Sequence, residues 1–146
     1  MHSWKARGGW QIIYFQDRLG KCPYEIWFLK KLSRIEQLIV QAAINEYLIA
    51  ILSDNLISPT IKPLGSGLFE FRISMSRSEI VRLAKQAGIS HRGQSKVLIR
   101  VFFTLSENRT IVIIGGYNKL RHPNKSAQQL SIKLAQRQLR EWKSQC

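Results

Sequence analysis

The chain has few acidic residues. Only nine of its 146 residues are Asp or Glu, against 23 Lys and Arg, which gives a formal net charge of +14. The basic excess is concentrated late in the chain: residues 1–61 hold seven basic and five acidic residues, and residues 62–146 hold sixteen and four. An excess of this size is typical of a protein whose partner is acidic, such as nucleic acid, an anionic membrane surface or an acidic protein.

Cysteines, metal-ligand patterns and long apolar runs are also scarce. Cys22 and Cys146 are far apart, so we expect neither a disulfide framework nor a cysteine metal site. The three histidines share no ligand spacing, and the chain contains no P-loop and no glycine-rich dinucleotide motif, so no metal and no cofactor are predicted. We find neither the ~18 consecutive apolar residues of a membrane span nor a signal peptide. We therefore expect a cytoplasmic protein that does not bind membrane.

Hydrophobic periodicity predicts one α+β domain over residues 10–146, preceded by a flexible tail over residues 1–9. Pro23 suits the first turn of a helix, and Ser33 with Glu36 forms a capping-box pattern that begins a second helix. The predicted strands are 10–15, 68–74, 97–105 and 109–116, and the predicted helices are 23–32, 33–54, 76–88 and 126–143. This order implies a small, mainly antiparallel sheet with an N-terminal helical hairpin, a C-terminal helix and a helical insertion at 75–96 between strands two and three.

Two predicted strands carry arginine among aromatic residues. Arg72 lies in LFEFRIS and Arg100 lies in VLIRVFF. Strand interiors usually take β-branched and aromatic residues, and arginine is rarely buried unless it is paired. A sheet that carries guanidinium groups beside aromatic rings is suited to holding a polyanion and its bases. The alternative is that both arginines point to solvent or pair with Glu70.

Metal-free cleavage of RNA is a reaction that this composition permits. The ribose 2′-hydroxyl attacks the adjacent phosphate, so the protein has only to position the backbone, neutralise developing charge and move protons. Arg72, Arg100, Lys119 and Arg121 could supply positive charge, Tyr117 or His122 could transfer a proton, and Lys62 and Lys125 could bind RNA. The alternatives are ordinary ones: strand-end packing for Tyr117, a solvated turn for Lys119 and Arg121, and a loop position for His122.

The same segments resemble the RelE/HigB superfamily of bacterial toxins, most closely its phage-derived HigB-like branch. The resemblance spans about residues 10–142 and rests on KPLGSGLFEFRIS, VLIRVFF, RTIVIIGGYNK and QQLSIKLAQRQL. It implies a RelE-like fold and the toxin component of a type II toxin–antitoxin system, a metal-independent, ribosome-dependent mRNA endonuclease that inhibits translation. It also implies two partners, namely the ribosome with its mRNA and a cognate antitoxin that often carries a helix-turn-helix.

The resemblance assigns roles by motif position. Arg72 falls on the basic residue that closes the family's second strand, and Arg100 on the arginine of its third-strand YRV segment. Lys119 falls on the basic residue after the fourth strand, and Tyr117 on a position that is often Phe in the HigB-like branch. The resemblance also implies that the concave sheet face and the end of the last strand form the RNA site.

The chain departs from that pattern at two positions and in one segment. Gly115 stands where the branch often has His, and Leu120 where it often has a second Lys, so proton transfer would fall to Tyr117 or His122. The insertion 76–96 replaces a tight hairpin and is interpreted as a lid or an interface element. The alternatives are a ParE-type toxin, which shares this fold and poisons DNA gyrase without cutting RNA, and a degenerate member that only binds RNA or protein.

Overall fold

Within the described residues, six strands form one open sheet flanked by four helices. The computed structural model describes residues 3–5, 7–53 and 58–145. The strands are β1 (Ser3–Lys5), β2 (Gln11–Tyr14), β3 (Ile61–Gly65), β4 (Leu68–Met75), β5 (Val97–Ser106) and β6 (Thr110–Asn118). The helices are α1 (Pro23–Lys31), α2 (Arg34–Ser53), α3 (Arg77–Ala87) and α4 (Lys125–Gln145).

The sheet has the order β1-β2-β6-β5-β4-β3. Every neighbouring pair is antiparallel except β2 with β6, which run parallel. The predicted α+β class with a mainly antiparallel sheet is therefore confirmed. The register of β5 against β6 slips at Phe102 and Phe103, where a bulge re-aims the strand.

One face of the sheet packs against α1, α2 and α3. The predicted capping box begins α2, since the Ser33 hydroxyl accepts from the Glu36 N–H and the Glu36 carboxylate accepts from the Ser33 N–H. The core on this face includes Ile39, Val40, Leu48 and Ile49 of α2, Ile80 and Ala84 of α3, and Phe71, Val101, Phe103 and Ile111 of the sheet. The apolar layer on this face is the larger of the two. It includes the contact of the insertion helix α3 with the sheet.

The other face of the sheet packs against α4. Ala135 and Leu139 of α4 contribute to a second core that also contains Leu68, Phe102, Val112, Ile114 and Tyr117. Phe102 and Phe103 are both buried, one in each core, because successive side chains of a strand point to opposite faces. Helix α4 therefore covers part of the sheet face that carries Phe102 and Tyr117.

Helix α2 meets the length and composition of a membrane span, with a mean hydropathy of 1.4 and 44% of its most apolar window buried. Its apolar residues are interspersed with polar ones, which is why no uninterrupted apolar run marks it in the sequence. Ile35, Ile39 and Leu48 lie in the core. Core helices of globular domains have this same character.

The N-terminal segment and one strand differ from expectation. Residues 1–9 were expected to be a flexible tail, but Ser3–Lys5 pairs with β2 and Arg7–Gly9 forms a 3₁₀ turn. Strand β3 was not expected because Pro63 and Gly65 indicate a turn, although proline is tolerated on an edge strand such as this one. Met1, His2, Ala6, Cys146 and the predicted end of α2 at Asp54 lie outside the described residues.

Candidate nucleic-acid interface

Arg72, Arg100 and Tyr117 lie side by side on three neighbouring strands. Arg72 of β4 is the Cα partner of Arg100 of β5, and Arg100 is the partner of Tyr117 of β6. All three share the sheet face of Phe102, because side chains two residues apart along a strand point the same way. The sheet therefore brings together three of the four residues predicted to be catalytic. We call Arg72, Arg100 and Tyr117 the arginine row.

A buried carboxylate binds both arginines. Glu70 has no exposed surface, and its Oε1 lies 3.0 Å from Arg72 Nε and 3.8 Å from Arg100 Nε. Glu70 sits two residues before Arg72 in β4, so it shares the face of the arginine row. The structure therefore contains the pairing given above as an alternative, in which both arginines contact Glu70. Two cations and one anion leave a formal charge of +1 on the cluster.

Two atoms of this cluster have no hydrogen-bond partner among the described residues. They are Glu70 Oε2 and Arg100 Nε, both shielded from solvent. Burial lowers the pKa of the Arg100 guanidinium, while the Glu70 carboxylate opposes that shift. Arg100 Nη1 reaches only the carbonyl of Ile99, at 3.2 Å. Unpaired buried polar atoms are costly, so this cluster keeps hydrogen-bonding capacity that a ligand could use.

Tyr117 is available as a proton donor and not as a base. Its side chain is buried, and its hydroxyl donates to the carbonyl oxygen of His122 in the following turn. Burial raises the pKa of the Tyr117 hydroxyl, and the positive charge of Arg100 only partly offsets this. The phenol is therefore protonated at neutral pH, with its hydrogen directed at the turn.

The turn after β6 divides its residues between the two faces of the sheet. Arg121 Nη2 lies 3.0 Å from Glu36 Oε1, and its Nη1 donates to the carbonyl of Lys31 at 2.7 Å. These contacts hold Arg121 against α1 and α2, on the opposite face from the arginine row. Lys119 is half-buried and His122 is exposed, and neither side chain joins the Glu70 cluster. The structure thus separates Arg121 from the residues with which it was predicted to act.

Of the two remaining predicted RNA contacts, Lys62 is the one that strand register places beside the arginine row. Lys62 of β3 is exposed and is the Cα partner of Glu70, so it lies at the sheet edge beside the cluster. Lys125 is exposed at the first residue of α4. Further along α4, Lys133 and Arg137 are also exposed. Helix α4 therefore carries exposed positive charge along its length.

From the sequence, Glu70 was named as an alternative partner of the arginines and not as a site residue, although a signal for its position on their face was present. In LFEFRIS the alternation of apolar and charged residues places Glu70 and Arg72 on one face and the two phenylalanines on the other. The contact of Glu70 with Arg100 carried no such signal, since it depends on the register of β4 against β5.

A cavity of about 200 Å³ lies at the β6 edge of the sheet, between α1 on one face and α4 on the other, and is lined by Trp27, Phe102, Gly115, Gly116 and Gln138 among others. Within the described ranges, no three His, Cys, Asp or Glu side chains gather as metal ligands would.

No protein-family model matches the chain, and a search of curated proteins finds no significant match. The function of the chain is therefore inferred from its own residues.

Proposed function

We propose that this protein is a metal-independent endoribonuclease that cuts mRNA on the ribosome, acting as the toxin of a type II toxin–antitoxin system. The observation that carries the proposal is the arginine row with Glu70: two guanidinium groups, one carboxylate and one phenol on three adjacent strands of a strongly basic chain. The sequence resemblance to RelE/HigB toxins supports the same function. The partners would be mRNA, the ribosome and an antitoxin.

The cluster contains the groups that cleavage by a ribose 2′-hydroxyl requires. The carboxylate of Glu70 would accept the proton of the 2′-hydroxyl through Oε2, which has no partner. Arg72 and Arg100 would neutralise the charge that develops on the phosphoryl oxygens, where preorganised donors are most effective. Tyr117, whose hydroxyl is held in the protonated form, would donate its proton to the leaving 5′-oxygen by exchanging its hydrogen bond to the His122 carbonyl for one to the substrate.

The scissile phosphate would approach from the side of Arg72. Its side chain is 37% exposed, against 9% for Arg100 and none for Glu70, so Arg72 is the accessible member of the cluster. A phosphate bound to Arg72 would draw that guanidinium away from Glu70. The carboxylate would then be left beside Arg100 with an oxygen available for the 2′-hydroxyl.

The first test is to induce the wild-type chain and the Arg72→Ala variant in bacteria, and to map transcript 5′ ends. We expect new ends within translated frames for the wild type. The variant should show at least tenfold fewer, because loss of one such charge contact costs about 2–4 kcal/mol in the transition state. Arg100→Ala should relieve toxicity at least as strongly.

The matched control is Arg34→Gln, which removes one exposed cation on α2, on the opposite face of the sheet. This variant should cut as the wild type does. If Arg72→Ala and Arg100→Ala both remain fully active, the assignment of the site is wrong.

A second candidate function is gyrase poisoning of the ParE type. The observation that favours it is the pairing of both arginines with Glu70, because an ion cluster satisfied within the sheet can be purely structural. Intact transcripts together with DNA damage on induction would support this candidate over the ribonuclease.

A further inference from the structure

The cavity between α1 and α4 has the composition of a nucleobase site. Strand β2 pairs with β6 only as far as Ile113, so the edge of β6 at Gly115 and Gly116 faces α1 and not another strand. Trp27 of α1 packs against this edge, and a Cβ on Gly116 would lie only 2.1 Å from its ring. Phe102 also lines the cavity. The cavity is therefore bordered by aromatic rings and by the backbone of two glycines, which have no side chains.

We propose that this cavity binds one nucleobase of a single-stranded RNA whose backbone follows the arginine row. This inference rests on the proposed function and names a subsite for its substrate. Single-stranded RNA is recognised by stacking bases on aromatic side chains while basic residues hold the phosphates. Here the aromatic surface and the basic residues adjoin.

The size of the cavity fits a base. Its volume is about 200 Å³, whereas a cavity of roughly 150 Å³ in another protein accommodates a benzene ring. The absence of a side chain at Gly115 contributes this space, since a Cβ there would point toward Gln138 Oε1 at 3.7 Å. A larger side chain at position 115 would therefore occupy the site.

Polar groups are present where the edge of a base could meet them. Gln138 and Ser131 of α4 line the cavity, and both are half-buried. Within the part of the chain that the structure describes, neither side chain is engaged in a hydrogen bond to another residue. An amide can both donate to and accept from the edge of a base, which is the pairing used to read nucleobases.

The position of the cavity links it to the proposed cleavage site. Phe102 and Gly115 are Cα partners, and each lies two residues along its strand from Arg100 or Tyr117, which also pair. Two residues along a strand span about 7 Å. A bound base and the phosphate at the arginine row could thus belong to neighbouring nucleotides.

The test measures binding of a short 2′-O-methyl RNA, which cannot be cut by 2′-hydroxyl attack, to the full chain. A companion series carries one abasic site at each position in turn. For the wild type, one abasic position should weaken binding about tenfold to a hundredfold, the range for loss of one stacked base. Gly115→Val should weaken binding of the intact RNA by a similar factor, and the same abasic site should then have no further effect.

Salt dependence separates loss of a base contact from loss of a phosphate contact. Gly115→Val and Gln138→Ala should leave the slope of log affinity against log salt unchanged, whereas Arg72→Gln, which removes the accessible cation of the arginine row, should reduce it. Gln129→Ala, an exposed residue of α4 that does not line the cavity, is the matched control and should bind as the wild type does. Gly115→Ala, with a Cβ at ordinary contact distance, gives a smaller version of the test if Gly115→Val does not fold.

The outcomes distinguish this inference from the proposed function. Equal affinity of Gly115→Val and the wild type for every RNA would overturn the inference, as would a Gly115→Val defect confined to binding of a co-expressed antitoxin. Cleavage of transcripts without any abasic effect would leave the ribonuclease standing and refute the base site. Conversely, an abasic effect that Gly115→Val abolishes, in a chain that cuts no transcript, would support the base site and refute the ribonuclease.

Discussion

Removing the negative charge of Glu70 isolates the energetics of the buried cluster. Glu70→Gln keeps the size of the side chain but removes the anion that lies 3.0 Å from Arg72 and 3.8 Å from Arg100. Arg72, at 37% exposed, can turn to water. Arg100, at 9% exposed, cannot, so its guanidinium becomes a buried cation without a counter-charge.

Breaking a buried pair in this way typically costs about 3–5 kcal/mol. We expect the lower end, roughly 3 kcal/mol, because Arg100 Nη1 retains its bond to the Ile99 carbonyl. Adding Arg100→Met to Glu70→Gln removes the stranded charge and keeps an apolar side chain of similar length. The double variant should therefore regain about 2 kcal/mol relative to the single one, since replacing both partners of a buried pair is often nearly neutral.

Urea unfolding at neutral pH, followed by circular dichroism and tryptophan fluorescence, measures both changes. With a slope of about 1–3 kcal/mol per molar urea, a loss of 3 kcal/mol lowers the midpoint by roughly 1–3 M. Glu46→Gln, an exposed carboxylate on α2, is the matched control and should stay within about 0.5 kcal/mol of the wild type. A double variant that is less stable than Glu70→Gln alone would refute the pairing of Glu70 with Arg100.

Two further predictions concern Tyr117 and the paired glycines of β6. Burial raises the pKa of the Tyr117 hydroxyl, so any stability linked to its proton is complete below the ordinary tyrosine pKa and is lost as pH rises through the higher folded-state value. Burial also raises the pKa of the Tyr24 hydroxyl, so ultraviolet titration should show two late-ionising tyrosines, of which Tyr117→Phe removes one; an unchanged late-ionising absorbance would contradict the assignment. Gly116→Ala should destabilise the fold by about 1–3 kcal/mol by displacing the Trp27 ring, whereas Gly115→Ala should be nearly neutral. Equal midpoints in urea would argue against the Trp27 contact.

Sequence signals that act over a few residues correctly predicted the helices that depend on them. Pro23, the Ser33–Glu36 capping box and the periodicity of α2 and α4 all act within a few residues, and those helices form where expected. The edge strand β3 was missed because its proline and glycine favour a turn unless a neighbouring strand is present to pair with. That neighbour, β4, follows directly in the chain.

The candidate site was only partly predictable for the same reason. Arg72 and Arg100 were predicted to be site residues because arginine is unusual inside a strand. The pairing of β4 with β5 places them side by side. Their joint contact with Glu70 depends on strand register, which long-range packing determines. The cavity beside Trp27 depends on β2 ending before β6 does, and the turn of Arg121 toward Glu36 depends on the position of α2. None of these has a local signature.

The chemistry of the RNA ends produced on induction tests the central claim most directly. Cleavage by the ribose 2′-hydroxyl leaves a 5′-hydroxyl on one product and a cyclic 2′,3′-phosphate on the other. We predict that wild-type induction generates new 5′-hydroxyl ends within translated frames, and that Glu70→Gln and Arg72→Ala, in amounts matched for folded protein, reduce them at least tenfold. Intact transcripts, or new ends that carry 5′-phosphate, would contradict the account.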